Sequence, residues 1–355
     1  MNARHAQAWL LALALAALGL VALGVSVGST GWEGWIGPLF DPGADEAAAA
    51  LARQIVFDIR LPRTVGAWTA GALLGLAGAV AQGLFRNPLA DPFLLGSAAG
   101  ASLGVALALA GWGGAAGMVG AGASGAAISV WSGSVWVRLG LTGAAFVGAV
   151  LAVGLTLALA RGVQHTLRLL LAGVVVGVVL GAVTQLVLLF SPESLQAMQA
   201  FLLGSTGFVG WAAVALMAAV WGLCVLAAGA LARGLDGLSL GEATARSLGL
   251  PLGALRMGLV AVLALATGTA VAQTGLIAFV GLAAPHLVRA LVRTTHGWLM
   301  ALASAMGGVL LLAADILARG LIAPQELPVG VLTAVLGGGY LLWLMHRRSR
   351  QEGVR

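Results

Sequence analysis

Runs of about twenty residues without a charged side chain recur along this chain, as in "AWLLALALAALGLVALGVSVG" from Ala8 and "LLLAGVVVGVVLGAVTQLVLLF" from Leu169. At 1.5 Å per helical residue, some twenty residues cross a hydrocarbon layer of roughly 30 Å. No water in that layer can pair with the backbone, so a spanning segment is either a helix or a strand of a closed barrel. Barrel strands read as short segments of alternating polarity; these runs are longer and do not alternate. Only 8% of the residues are charged and 60% are hydrophobic, too little polar surface to clothe a soluble domain. The chain therefore reads as an all-α polytopic membrane protein.

Cutting the sequence where Pro, Gly and polar residues cluster yields about ten transmembrane helices in one domain over residues 1–355. They fall near 8–28, 64–85, 94–113, 141–160, 167–190, 211–231, 256–274, 276–291, 299–318 and 328–345. The eighth is short and contains Pro285, so it is expected to be broken or tilted. The first run is longer than a usual signal-peptide core and no small-residue cleavage site follows it, so it is read as a span.

Several chemistries are excluded by residue type. All eighteen basic residues are Arg. Without Lys the chain has neither a phosphate-binding P-loop nor a Schiff-base amine, so any work done with ATP belongs to a partner. Cys224 stands alone in an apolar run, which leaves no disulfide framework and no thiolate metal site. His5, His165, His286, His296 and His346 fall at span ends or connections, none paired at ligand spacing. Catalytic residues and metal ligands are thus expected to be absent. Intramembrane acids suited to proton coupling are scarce too, and the nearest, Asp315, lies near a span end.

Ten spans place both termini on one side. With the termini cytoplasmic, thirteen arginines fall inside: Arg4, Arg86, Arg161, Arg168, Arg233, Arg246, Arg256, Arg289, Arg293, Arg347, Arg348, Arg350 and Arg355. Five fall outside: Arg53, Arg60, Arg63, Arg138 and Arg319. The positive-inside rule selects that orientation. Because the arginines are scattered among connections rather than gathered in a stripe, the net charge of +6 fits membrane orientation and not nucleic acid.

The polar punctuation is uneven. The external connection 29–63 has an Ala-rich middle that favours a surface helix. The stretch 113–140, rich in Gly, Ala, Ser and Trp, has no functional reading. On the inner side lie "RNPLADP", whose prolines end regular helix, and the connection 232–255 with "DGLSLGEATARSLGLPLGALR". On the outer side "IRLPR" is expected to stand beside Arg319. A polar turn survives at membrane depth only where it lines water or protein.

At these residues the chain resembles the FecCD family, the permease subunits of type II ATP-binding cassette importers. The resemblance is carried in family order by "RLPRTVGAWTAGALLGLAGAVAQGLFRNPLADPFLLG", "RLLLAGVVVG", "LGEATARSLGLP", "GLIAFVGLAAPHLVR", "AADILARG" and "ELPVGVLTAVLGG", from about residue 51 to 345. It implies a homodimer of ten-helix subunits in the bacterial inner membrane, two cytoplasmic ATPase subunits that use ATP and Mg, and a periplasmic substrate-binding protein. By motif position it implies a cytoplasmic gate at Asn87 and Leu89, with His165 and Thr166 where the family has two small hydroxyl residues. It further implies a coupling loop that seats in the ATPase: Leu238, Leu240, Ala243, Leu248, Gly249 and Leu250 as an apolar face, Glu242 and Arg246 beside it, and Pro251 turning into the next span. Docking of the binding protein is implied at Arg60, Arg63 and Arg319. The cargo implied is a metal chelate, cobalamin ahead of ferric siderophores or haem, since "LARQIVFDIRLPR" and "LGLPL" look most like the cobalamin member. The competing class is a secondary transporter or channel acting alone.

Overall fold

The computed structural model describes residues 3–28, 31–32, 45–116, 135–160 and 166–352. Its helices are α1 (Ala3–Ser26), α2 (Glu46–Arg53), α3 (Leu61–Phe85), α4 (Ser97–Ala116), α5 (Val135–Leu159), α6 (Thr166–Phe190), α7 (Leu195–Leu203), α8 (Trp211–Ser239), α9 (Glu242–Ser247), α10 (Leu252–Thr274), α11 (Val280–Leu291), α12 (His296–Gly320) and α13 (Val329–Glu352). Val27–Gly28 and Gly31–Trp32 form one short antiparallel pair. Among the described residues, seven helical stretches are long and apolar enough to cross a membrane, and the shorter apolar helices Ser97–Gly111, Val280–Leu291 and Val329–Trp343 complete the ten segments expected. The Ala-rich helix α2 continues through one π-helical stretch, Gln54–Arg60, straight into α3.

α3 is the axis of the bundle, with α8, α10, α11 and α12 packed around it. Almost every residue from Thr64 to Phe85 is buried. Its sequence explains this: Gly and Ala leave no side chain to hold neighbouring backbones apart. A Cβ on Gly71 would lie 2.3 Å from the Gly307 carbonyl oxygen, and one on Gly78 would lie 1.7 Å from that of Gly281.

The eighth segment departs from a plain span. After α10 the chain runs without helix through residues 275–279 and then forms α11, about half a span long, starting opposite α3 where Gly281 meets Gly78. Non-helical backbone at this depth needs partners. Leu276 donates its N–H to the Phe201 carbonyl at 3.0 Å, and Ser205 donates to the Thr274 carbonyl at 2.8 Å. The short helix α7 thus supplies the acceptor that the broken segment requires.

Candidate functional site

Polar residues gather at the two ends of the bundle. At one end, α3 closes with Asn87 N–H donating to Gln82 O at 3.1 Å and Arg86 N–H to Gly83 O at 3.3 Å. This paired closure usually has glycine at the left-handed position; here that residue is Arg86, at φ 49° and ψ 36°. A side chain there costs about 1 kcal/mol or more relative to glycine. Beyond it the turn is held by its own side chains. Asn87 Oδ1 accepts from Leu89 N–H at 2.9 Å, and Asp91 Oδ1 accepts from Phe93 N–H at 2.8 Å at the head of the short helix 92–95. Asn87 and Leu89 are exposed, while Ala90 is buried beneath them. The two residues assigned to the inner turn therefore stand free at the tip of a rigid reverse turn.

Burial pushes the Asp91 carboxyl up from the ordinary carboxylate range, opposed by the Phe93 N–H. A carboxyl raised by folding contributes stability below its unfolded pKa and loses it as pH rises through the folded value. Asp91→Asn keeps the capping acceptor and sheds the buried charge. It is expected to melt no lower than the parent at neutral pH, with any gain shrinking toward acid, whereas Asp91→Ala lies about 1 kcal/mol of cap below Asp91→Asn at either pH. Thermal melting in detergent at two pH values checks both.

The coupling loop lies at the same end. Glu242 opens α9 and is shared by three guanidinium groups: Arg256 at the foot of α10, Arg246 one turn along α9 at 3.5 Å, and Arg86 of the turn at 3.8 Å. Arg256 is only 2% exposed, so its ion pair with Glu242 neutralises a buried charge. Asp236 accepts from the backbone N–H of His296 at 2.9 Å, heading α12, and lies 2.7 Å from that residue's Nδ1. Beside it is a recess of about 820 Å³ lined by Asp236, Leu240, Arg293, His296 and Trp298 among others.

The apolar face expected on this loop is only partly present. Leu240 and Leu248 are exposed, with Ala243, Arg246, Gly249 and Pro251 around them. Leu238 instead is buried at 1% and Leu250 is half-buried against Gly237. α8 runs on to Ser239, so Leu238 lies on the helix face already turned to the core, with Leu235 one turn before it. Gly249, at φ 75°, makes the sharp bend that exposes Leu248 and turns Leu250 inward. His165 falls outside the described residues, and Thr166 begins α6.

At the opposite end the three arginines expected to dock a binding protein are engaged by groups of the chain itself. Arg60 and Arg319 do not face outward. Arg60, 6% exposed, donates to the Val25 and Ser26 carbonyls at 3.2 and 3.3 Å. Arg319, 1% exposed, donates to Asp315 Oδ2 at 2.6 Å and to the carbonyls of Gly24 and Val27 at 2.9 and 3.1 Å. Arg63 bridges Asp315 Oδ1 at 3.1 Å and Glu326 at 2.8 Å, and Thr206 donates to Asp315 as well. Asp315 itself is fully buried. The physical reason is a local one: at a bundle end, guanidinium groups find carboxylate and helix-end carbonyls nearer than solvent. These arginines tie α1, α3, α12 and the 204–210 and 321–328 connections together.

Comparison with known proteins supports the same reading of the fold. The FecCD transport family model matches residues 12–347. The chain is 37% identical over 349 residues to the vitamin B12 import system permease protein BtuC of Salmonella paratyphi A, covering 96% of each. It is 36% identical over 348 residues to the protein of that name from Salmonella typhimurium, again covering 96% of each. A solved chain described as an inward-facing conformation of a metal-chelate type ABC transporter superposes with a TM-score of 0.78 at 26% identity, covering 95% of this chain and 98% of its own. PsaBC from Streptococcus pneumoniae shares the fold alone, at 17% identity and a TM-score of 0.51, over 79% of this chain and 97% of its own. The chain is a multi-pass membrane transport subunit, not an enzyme, and it belongs to the FecCD transport family.

Proposed function

We propose that this protein is the permease of an ATP-driven importer for cobalamin, working as a homodimer with two cytoplasmic ATPase subunits and a periplasmic binding protein. The observation that carries the substrate is the 37% identity, over nearly the whole of both chains, to permeases named for vitamin B12 import. The rigid turn at Asn87 and Leu89 serves as the cytoplasmic gate. The exposed Leu240 and Leu248, beside the recess at Asp236, receive the ATPase, which supplies ATP and Mg; the permease itself binds no cofactor. The end bearing the 86–91 turn then faces the cytoplasm, in agreement with the arginine bias. α6 and α13 offer apolar faces to a second copy, exemplified by Val178 and Val335. Selectivity rests mainly with the binding protein, because the spans offer mostly apolar surface.

Proteoliposomes holding the permease, its ATPase and its binding protein test this. ATP-dependent uptake of cyanocobalamin, unaffected by collapsing ion gradients, is the expected result. Uptake of ferrichrome or haemin but not cyanocobalamin overturns the substrate, and uptake without the ATPase overturns the importer reading. A narrower check concerns docking. Leu248 is 61% exposed, so Leu248→Asp leaves the permease folded, but a carboxylate desolvated in the ATPase groove is expected to weaken association by about 2 kcal/mol, some thirty-fold. Co-purification of the ATPase at graded dilution reads it.

A further inference from the structure

Glu242 is placed where three separate pieces of the turn end meet. Arg246 belongs to α9, Arg256 to the foot of α10, and Arg86 to the turn that follows α3. Two of these contacts are ordinary. The pair with Arg246 is the one-turn spacing favoured within a helix, and the pair with Arg256 neutralises a buried guanidinium. The contact with Arg86 has neither explanation. Its partners are 156 positions apart, and Arg86 holds the left-handed cap that glycine would fill without strain. A strained position kept by a long charged side chain directs attention to what that side chain reaches. At 3.8 Å, with side chains 44% and 27% exposed, the pair is screened by solvent. Such a contact contributes little to stability, and it joins the loop and the turn without locking them.

We propose that Glu242 and Arg86 form the link that transmits movement of the ATPase-docking loop to the Asn87–Leu89 turn. Glu242 is fixed to α9 and α10 by Arg246 and Arg256, so a displacement of α9 carries the carboxylate with it. Arg86 directly precedes Asn87, and the turn beyond it is stiffened by the Asn87 and Asp91 side-chain bonds. The turn therefore follows as a unit. Both residues are positioning residues; neither needs to touch the cargo. The link rests on the permease reading, and it adds the particular pair through which docking loop and gate communicate.

The test follows a thiol at the turn tip. In a Cys224→Ala, Leu89→Cys parent bound to its co-expressed ATPase in nanodiscs, ATP is expected to change the rate of maleimide labelling several-fold. Arg86→Gly on this background should melt at or above the parent temperature, since the cap strain is relieved. It should retain the ATPase and its hydrolysis yet lose at least two thirds of the ATP-induced change. Glu242→Gln should lose the same response, and the double variant should be no worse than either single one. An Arg86→Gly protein that responds to ATP like the parent, or that melts several degrees lower, overturns the link while leaving the permease reading intact. A parent that captures no ATPase overturns the permease reading, and the link falls with it.

Discussion

Asp315→Ala is expected to be the most destabilising single polar substitution in the bundle. The carboxylate is fully buried and is met by Arg63, Arg319 and Thr206. Asp315 and Glu326 are the carboxylates bonded by Arg63 and Arg319, while Arg60 beside them rests on backbone carbonyls. Without Asp315, Arg319, 1% exposed, retains carbonyl partners but loses the carboxylate bonded to it. Stranding a buried charge in this way costs about 3–5 kcal/mol. Asp315→Asn keeps an acceptor for Thr206 and should fall between variant and parent. Cys224 offers a readout within the native chain, because its thiol is buried until α8 and α10 separate. Maleimide labelling on heating should therefore begin at a much lower temperature in Asp315→Ala. Labelling that starts at the parent temperature would show that the cluster is not closed in the folded protein.

The second large effect belongs to Gly78. Its Cβ would lie 1.7 Å from the Gly281 carbonyl oxygen and 2.5 Å from that residue's carbonyl carbon. Only backbone stands in the way, so no side chain can swing aside. α11 must retreat from α3, and overpacking of that kind costs about 3 kcal/mol or more. Gly78→Ala is expected to give little folded protein in detergent-based fluorescence chromatography. Gly19→Ala, where nothing lies within 4 Å, should behave like the parent or slightly better, since alanine favours helix. Equal behaviour of the two variants would sink the close α3–α11 contact.

These two sites also mark how far the sequence could be read. The spans were legible because hydrocarbon imposes its own length scale, and Pro88 and Pro92 flagged the turn after α3 for the same reason. The half-span α11 was legible in part: Pro285 and the short run announced an irregular segment, but the non-helical residues 275–279 depend on the Phe201 carbonyl, supplied by a helix more than seventy residues earlier. The inward partners of the arginines at the far end were illegible for a related reason. A guanidinium next to a span end reads the same from local sequence whether it points to solvent or folds back on an acid, and Arg63 finds Asp315 across 252 positions. Likewise Leu238 and Leu248 look equivalent as apolar residues of one loop. Only the length of α8 puts the first inside, and only the bend at Gly249 puts the second outside. The three-arginine use of Glu242 left one trace in sequence, an Arg where a helix-ending glycine is usual, recognisable only once the cap geometry is known.

The central position of α3 has a consequence for how the protein is made. This helix is the second long span to leave the ribosome, yet the helices that cover it, α8, α10, α11 and α12, come far later in the chain. Gly71 waits for Gly307. At some 5–20 residues per second, the intervening chain takes about 10–50 s to synthesise. Through that interval a glycine-rich span, shaped to touch protein on every side, has little beyond α1, lipid or an insertion factor for company. Its small residues, which pack so closely at the end, leave its backbone exposed at the start. Slowing translation between α6 and α10 would lengthen this unprotected period, so the yield of folded permease should depend on the pace of synthesis there more than anywhere else in the chain.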